Sequence, residues 1–118
     1  MSEEKIRELE RRISHLEERV NILAEIADFE KHPFLYTVLE SNLTKEQITK
    51  IMDLMDKVEA SLKTENPINH IQFERELYRI VPSMNGNFTF AKSIVMTLND
   101  EHRWEAVYQH LKQDGMNI

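Results

Sequence analysis

Histidines and acidic side chains are the residues of this chain that could bind a metal or transfer protons. A helical metal site needs a histidine with a second histidine or a carboxylate three or four residues away on one face. The best candidate is His102 with Glu105, just after Asp100 and Glu101. Acidic residues there also suit the positive N-terminal end of a helix. We therefore predict no metal site.

The sequence carries no recognisable motif for nucleophilic or phosphate chemistry. Gly-x-Ser-x-Gly, the phosphate loop and His-Glu-x-x-His are all missing. The chain has no cysteine, which excludes a disulfide framework and a thiolate zinc site and fits a reducing compartment. Neighbouring carboxylates such as Glu17 and Glu18 point apart on a helix. These observations predict a protein that is not an enzyme and holds no cofactor.

Composition limits the class of fold and the partners. The chain has 118 residues, enough for one domain, with 41% hydrophobic and 31% charged residues. Two glycines and three prolines are too few for a loop-rich β-sandwich. A formal charge of -6 argues against binding along a nucleic-acid backbone. The polar N-terminus lacks the features of a secretory signal, and no run approaches the ~20 apolar residues of a membrane span, so we expect a cytoplasmic protein.

The first helix carries a regular heptad pattern that predicts a coiled coil. Its apolar residues alternate at spacings of three and four, with β-branched residues at the first three a positions and leucine at the three d positions. This combination favours a parallel two-stranded coil. We call this stripe the seam, and it consists of Ile6, Leu9, Ile13, Leu16, Val20, Leu23 and Ala27.

Charges beside the seam agree with a parallel pair. In that arrangement a g residue faces the e residue five positions on in the other helix, which pairs Lys5 with Glu10 and Arg12 with Glu17. A third pair is missing, because Arg19 faces Ala24. Antiparallel or higher-order association, or packing of this helix within its own chain, remain alternatives. The predicted dimer interface comprises Lys5, Ile6, Leu9, Glu10, Arg12, Ile13, Leu16, Glu17, Val20 and Leu23.

A second apolar face follows the seam near the end of the first helix. It consists of Ile22, Ile26 and Phe29. One partner helix cannot cover two faces, so we expect this end to dock also on the helices that follow. Residues 1–28 are thus predicted to be a dimerisation helix continuous with the core, and residues 29–118 to be a helical domain.

Turn and capping signals divide the rest into about five shorter helices. Pro33 suits a first helical turn, and Asn42 suits a left-handed end. Thr44 with Gln47, and Asn69 with Gln72, have the spacing of capping boxes. The predicted fold is all-α: one long N-terminal coiled-coil helix followed by a compact bundle. Around Ile94 and Val95 a helix is predicted, with a strand as the minor alternative. The last helix is expected to be capped by Asn99 or Asp100 and to end at Gly115.

Several segments resemble one family of small proteins. They are RISHLEERV, KHPFLYTVL, LTKEQITKIMDLMDKV, FERELYRIV and FTFAKSIVMTLNDEHRWEAVYQHL. In this order they resemble the YhaI-like family of Bacillus-type bacteria and their prophages, over roughly Glu10 to Leu111. The resemblance implies an all-α, oligomeric protein of unknown function, and it brings no catalytic residues.

The residues and the resemblance together favour a non-catalytic, cytoplasmic protein–protein interaction module. It would act as a homodimer and serve as an adaptor, inhibitor or modulator of an unidentified protein partner in a bacterial or prophage setting. The alternative is a DNA-linked transcriptional regulator or anti-repressor, with the third and fourth helices as a helix-turn-helix. The connector from Lys63 to Ile68 is longer than the usual turn of about three to four residues. No cluster of Arg, Asn and Gln marks a recognition helix, so nucleic acid is not the favoured partner.

Overall fold

The computed structural model describes residues 2–118, and about 75% of the chain is helical. Within the described residues there is no strand, so the predicted all-α class is confirmed and Ile94 and Val95 lie in a helix. Two short 3₁₀ turns, Phe29–Lys31 and Pro82–Met84, join the elements. The α-helices are α1 (Glu3–Ile26), α2 (Pro33–Glu40), α3 (Lys45–Ser61), α4 (His70–Ile80), α5 (Phe88–Asp100) and α6 (Glu105–Gln113).

Both predicted capping boxes are confirmed. The Thr44 hydroxyl accepts from the Gln47 backbone N–H at 3.1 Å, while the Gln47 side chain accepts from the Thr44 N–H at 2.9 Å. Asn69 and Gln72 exchange the same two hydrogen bonds at the start of α4, at 2.8 Å and 3.0 Å. Each box satisfies two backbone donors near a helix end, which defines where α3 and α4 begin.

Left-handed residues end three of the helices. Asn42 (φ 54°) and Gly115 (φ 113°) follow α2 and α6 as predicted, and His102 (φ 60°) follows α5. Beyond Gly115, the Met116 N–H donates to the Leu111 carbonyl at 2.9 Å, and Met116 is itself buried. This is the hydrogen bond of a Schellman motif, so the turn and the burial of the C-terminal residues support each other.

The junction between α5 and α6 differs from the prediction. Neither Asn99 nor Asp100 caps the last helix, because α5 continues through both. The residue before α6 is Trp104, which is left-handed (φ 52°) and makes no side-chain capping hydrogen bond. Its indole N–H instead donates to Asp56 on α3 at 3.0 Å. A tertiary contact therefore sets the start of α6 in place of a local cap.

The apolar core lies among α2 to α6. The α2 helix packs against α5, and α3 packs against α4. The Phe34 backbone N–H at the start of α2 donates to the Glu101 carboxylate at 2.8 Å, which joins α2 to the end of α5. None of the largest fully buried side chains comes from α1. They are Phe34, Ile51, Met55, Val58, Phe73, Leu77, Val81, Ile94, Val95, Leu98, Val107 and Leu111.

Candidate functional site: the free helix and the groove at its end

The α1 helix stands outside the core. No residue of Glu3–Ile26 is buried, although the helix is 24 residues long and thus about 36 Å in length. The whole chain measures 62 × 32 × 21 Å, so its long dimension reflects this projecting helix. Ser2 caps it by accepting from the Lys5 N–H at 3.2 Å.

The seam is uncovered along this helix. Exposed fractions of the large seam side chains run from 43% at Ile6 and Leu9 to 61% at Leu23. All ten residues of the predicted dimer interface lie on α1 and are exposed, which leaves them available to a second helix. Whether they pair with a second copy stays a prediction. An uncovered apolar stripe of this length is unusual for a monomer and typical of an interaction surface.

The charges on α1 make pairs within the helix. Arg12 lies 3.2 Å from Glu8, and Arg7 lies 3.6 Å from Glu3. These pairs are solvent-exposed and contribute only about 0.3–0.5 kcal/mol each. The Arg12 side chain can therefore exchange Glu8 for Glu17 of a second helix at small cost.

The second apolar face does not dock as predicted. Ile22 and Ile26 are exposed, and Ile26 at 74% is the most exposed large apolar side chain among residues 2–118. Only Phe29 packs on a following helix, with its ring centroid 4.8 Å from that of Tyr36. The physical reason is that α1 ends at Ile26 and Ala27 is extended (φ -75°, ψ 141°), so the chain turns away before this face can meet α2.

An apolar groove opens where the chain turns away. We call it the α2 groove. It has a volume of about 410 Å³, and its apolar lining consists of Ala27, Phe29, Leu35, Tyr36, Val38, Leu39 and Leu43. The sequence indicates that Leu35 and Leu39 belong to the apolar side of α2, yet both are exposed, and Phe34 alone of the apolar α2 residues is buried. On this eight-residue helix, the sequence signal for the groove is that five apolar residues are spread over more than one face.

Of the candidate metal residues, His102 and Glu105 are brought together, but within residues 2–118 they form no larger cluster with Asp100 and Glu101. His102 Nδ1 lies 3.2 Å from Glu105 on an exposed surface, but the Glu101 carboxylate accepts the N–H of Phe34. Elsewhere, His110 Nε2 donates to the Ile68 carbonyl at 2.7 Å. Among residues 2–118, no three His, Asp or Glu side chains are placed to share a metal ion. Over the same residues, no helix is both long and apolar enough to cross a membrane.

Asp114 joins the C-terminal turn to α4. Its carboxylate accepts from the His70 backbone N–H at 2.8 Å and from the His70 ring at 2.7 Å. These two hydrogen bonds, the backbone one first, lower the pKa of Asp114 below its ordinary value. A carboxylate whose pKa is lowered by folding stabilises the fold above its unfolded pKa of 3.8, and that stabilisation is lost as the pH falls through the folded pKa.

We expect Asp114→Asn to be less stable than the wild type at neutral pH, with a difference that shrinks in acid. The variant keeps an acceptor for His70 but has no charge to lose. Urea unfolding at about pH 7 and about pH 3 measures both proteins, with the exposed Asp53→Asn as a control for removing one negative charge. A difference that is the same at both pH values contradicts the assigned role.

Fold and surface together define a class: a small all-α protein with a free heptad helix attached to a five-helix core. The chain belongs to a family described as "Protein of unknown function (DUF1878)", which matches residues 7–114. The match includes most of α1 and all of α2 to α6, so the free helix is part of the family's domain. No solved structure matches the chain.

Proposed function

We propose that this protein is a non-catalytic, cytoplasmic interaction module that acts as a parallel homodimer and works as an adaptor, inhibitor or modulator of another protein. The observation that carries the proposal is the free α1 helix, which has an uncovered seam and no buried residue. The YhaI-like assignment and a Bacillus or prophage origin belong to the same proposal.

Helix energetics support a partner for α1. Most of the stability of a protein helix comes from packing its apolar face, and α1 has no such packing within its own chain. Each seam side chain that becomes fully buried contributes up to about 1.5–3 kcal/mol. A second copy supplies an identical seam, with β-branched residues at the first three a positions and leucine at the d positions, and so buries both stripes at once.

The charge and the dimeric state favour binding another protein. A net charge of -6 steers the molecule towards basic surfaces. Two copies held together present each binding surface twice, so a weak contact gains affinity through avidity. This is the behaviour of a stoichiometric adaptor or inhibitor.

Cysteine cross-linking tests the dimer and its orientation. The chain has no native cysteine, so Leu9→Cys introduces a single thiol at a d position. In a parallel pair the two thiols face each other within the Cα–Cα range of about 4.4–6.8 Å that a disulfide needs. We therefore expect a disulfide-linked dimer on mild oxidation.

The antiparallel arrangement gives a different result. If the two seams overlap along their full length, so that Ile6 faces Leu23, Leu9 lies opposite Val20, which is about 16 Å further along the helix. A mixture of Leu9→Cys and Val20→Cys chains would then link, while Leu9→Cys alone would not. That outcome, or the absence of any link, contradicts the parallel dimer. A different observation would favour the DNA-linked regulator: nucleic acid that stays bound to the purified protein, with an affinity that falls steeply as the salt concentration rises.

A further inference from the structure

The borders of the seam change character in the last heptad of α1. In the first two heptads the g positions are Lys5 and Arg12, and the e positions facing them are glutamates. In the last heptad the e position is Ala24 and the g position is Ile26. Charged residues normally border a two-stranded seam, so apolar residues at these positions widen the surface that the second copy can cover.

The heptad geometry indicates what lies opposite Ile26 in a parallel pair. A g residue faces the e residue five positions on, which for Ile26 is Lys31 of the second copy. Lys31 does not lie on α1, because the helix has already ended and the chain has entered the Phe29–Lys31 turn. A second α1 helix therefore supplies no residue opposite Ile26, which stays uncovered at the point where the chain turns towards α2.

The seam and the α2 groove form one continuous apolar surface. Ala27 is the last seam position and also lines the groove. The groove thus begins where the seam ends, next to the uncovered Ile26. Both surfaces are apolar and adjacent, so covering them together removes more apolar area from water than the seam alone.

We propose that the occupant of the α2 groove is a second copy of this chain: Ile26, with Ile22 next to it on the same helix face, packs against Leu35 and Leu39 of the other protomer. By symmetry the contact forms twice. The proposal rests on the parallel homodimer proposed above and adds to it a domain-to-helix contact between copies. The face that α1 fails to dock on its own chain is docked on the partner's chain.

A mixed cross-linking experiment tests this contact. Chains carrying only Ile26→Cys are mixed with chains carrying only Leu39→Cys and oxidised, so any link between these two positions must join different chains. We expect a disulfide-linked heterodimer. The matched control replaces Leu39→Cys by Ile71→Cys on α4, because Ile71 is 58% exposed and Leu39 is 55% exposed. The control mixture is expected to give no such product.

The outcomes separate the two proposals. If Leu9→Cys links and the Ile26→Cys and Leu39→Cys mixture does not, the groove contact is wrong and the seam dimer stands. If neither links, the dimer itself is wrong. Equal linking of the Leu39→Cys and Ile71→Cys mixtures would show random collision and would also overturn the groove contact.

A binding measurement provides a second readout that needs no cysteine. Leu39→Glu places a charge in the groove and is expected to raise the dimer dissociation constant by at least about tenfold, while Ile71→Glu leaves it within about twofold. Sedimentation equilibrium measures both constants, and circular dichroism verifies that each variant folds. If Leu39→Glu leaves the dimer dissociation constant unchanged, a second copy is not the occupant of the α2 groove. This holds even if the variant loses binding to another protein.

Discussion

Replacing Ile13 and Leu16 together by asparagine is expected to convert the dimer into a monomer. The two residues are consecutive a and d positions in the middle of the seam, and the change removes four apolar side chains from each dimer. A single asparagine at an a position is tolerated in parallel coils at some cost in stability, whereas here two adjacent layers become polar. At about 1.5 kcal/mol or more for each lost side chain, the dissociation constant rises by at least about ten-thousandfold.

Light scattering across a concentration series measures this change. The matched control is Ser14→Asn with His15→Asn, which places two asparagines in the same turn at outer heptad positions. The control is expected to remain dimeric. Circular dichroism should show some loss of helix in the seam variant, because a helix with no partner frays. A wild type that is monomeric throughout the series would refute the assembly, and so would a seam variant that stays dimeric.

Local signals account for what could be predicted correctly. The Thr44 and Asn69 boxes act over three residues, and the left-handed ends at Asn42 and Gly115 depend on the residue at one position. The long N-terminal helix is likewise predicted from a pattern along one segment, whereas the pairing of its seam stays a prediction. Such features can be read from the sequence because the interacting groups are neighbours along the chain.

Long-range contacts account for what was missed. The start of α6 depends on Trp104 and Asp56, which are 48 residues apart, and the α5–α6 junction also holds Glu101 against Phe34 across 67 residues. Capping rules describe residues within one turn of each other, so they do not predict contacts between residues this far apart in the sequence. The free end of α1 shows a related limit, because the pattern at Ile22 and Ile26 indicates an apolar face but not which surface covers it.

Phe34→Ala is expected to be among the most destabilising single substitutions in the chain. Phe34 is 1% exposed and is the most deeply buried residue of the eight-residue α2. Its ring lies 5.8 Å from the Arg103 guanidinium carbon, which adds a cation–π contact to the apolar packing. Removing a buried phenylalanine ring lowers the free energy of unfolding by about 3–5 kcal/mol.

The control for Phe34→Ala is a substitution at the adjacent residue. Leu35→Ala alters an exposed side chain of the same helix and should cost within about 0.5 kcal/mol. Because Leu35 is a proposed contact with the second copy, both substitutions are made in the Ile13→Asn, Leu16→Asn monomer. Urea unfolding then reports on the domain alone. Similar costs for the two substitutions would mean that Phe34 does not anchor α2.

Phe34→Ala also tests whether the core holds the wall of the α2 groove in place. When Phe34 is shortened, α2 loses its packing on α5, and the groove wall formed by Leu35 and Leu39 loses its fixed position. In the otherwise unchanged dimer, at a temperature where the variant is folded, we expect Phe34→Ala to weaken the link between Ile26→Cys and Leu39→Cys chains. The Leu9→Cys link should persist, because no seam residue is buried in the core. Loss of both links would show that the seam depends on the domain, whereas loss of the groove link alone identifies α2 as the element that carries the second contact.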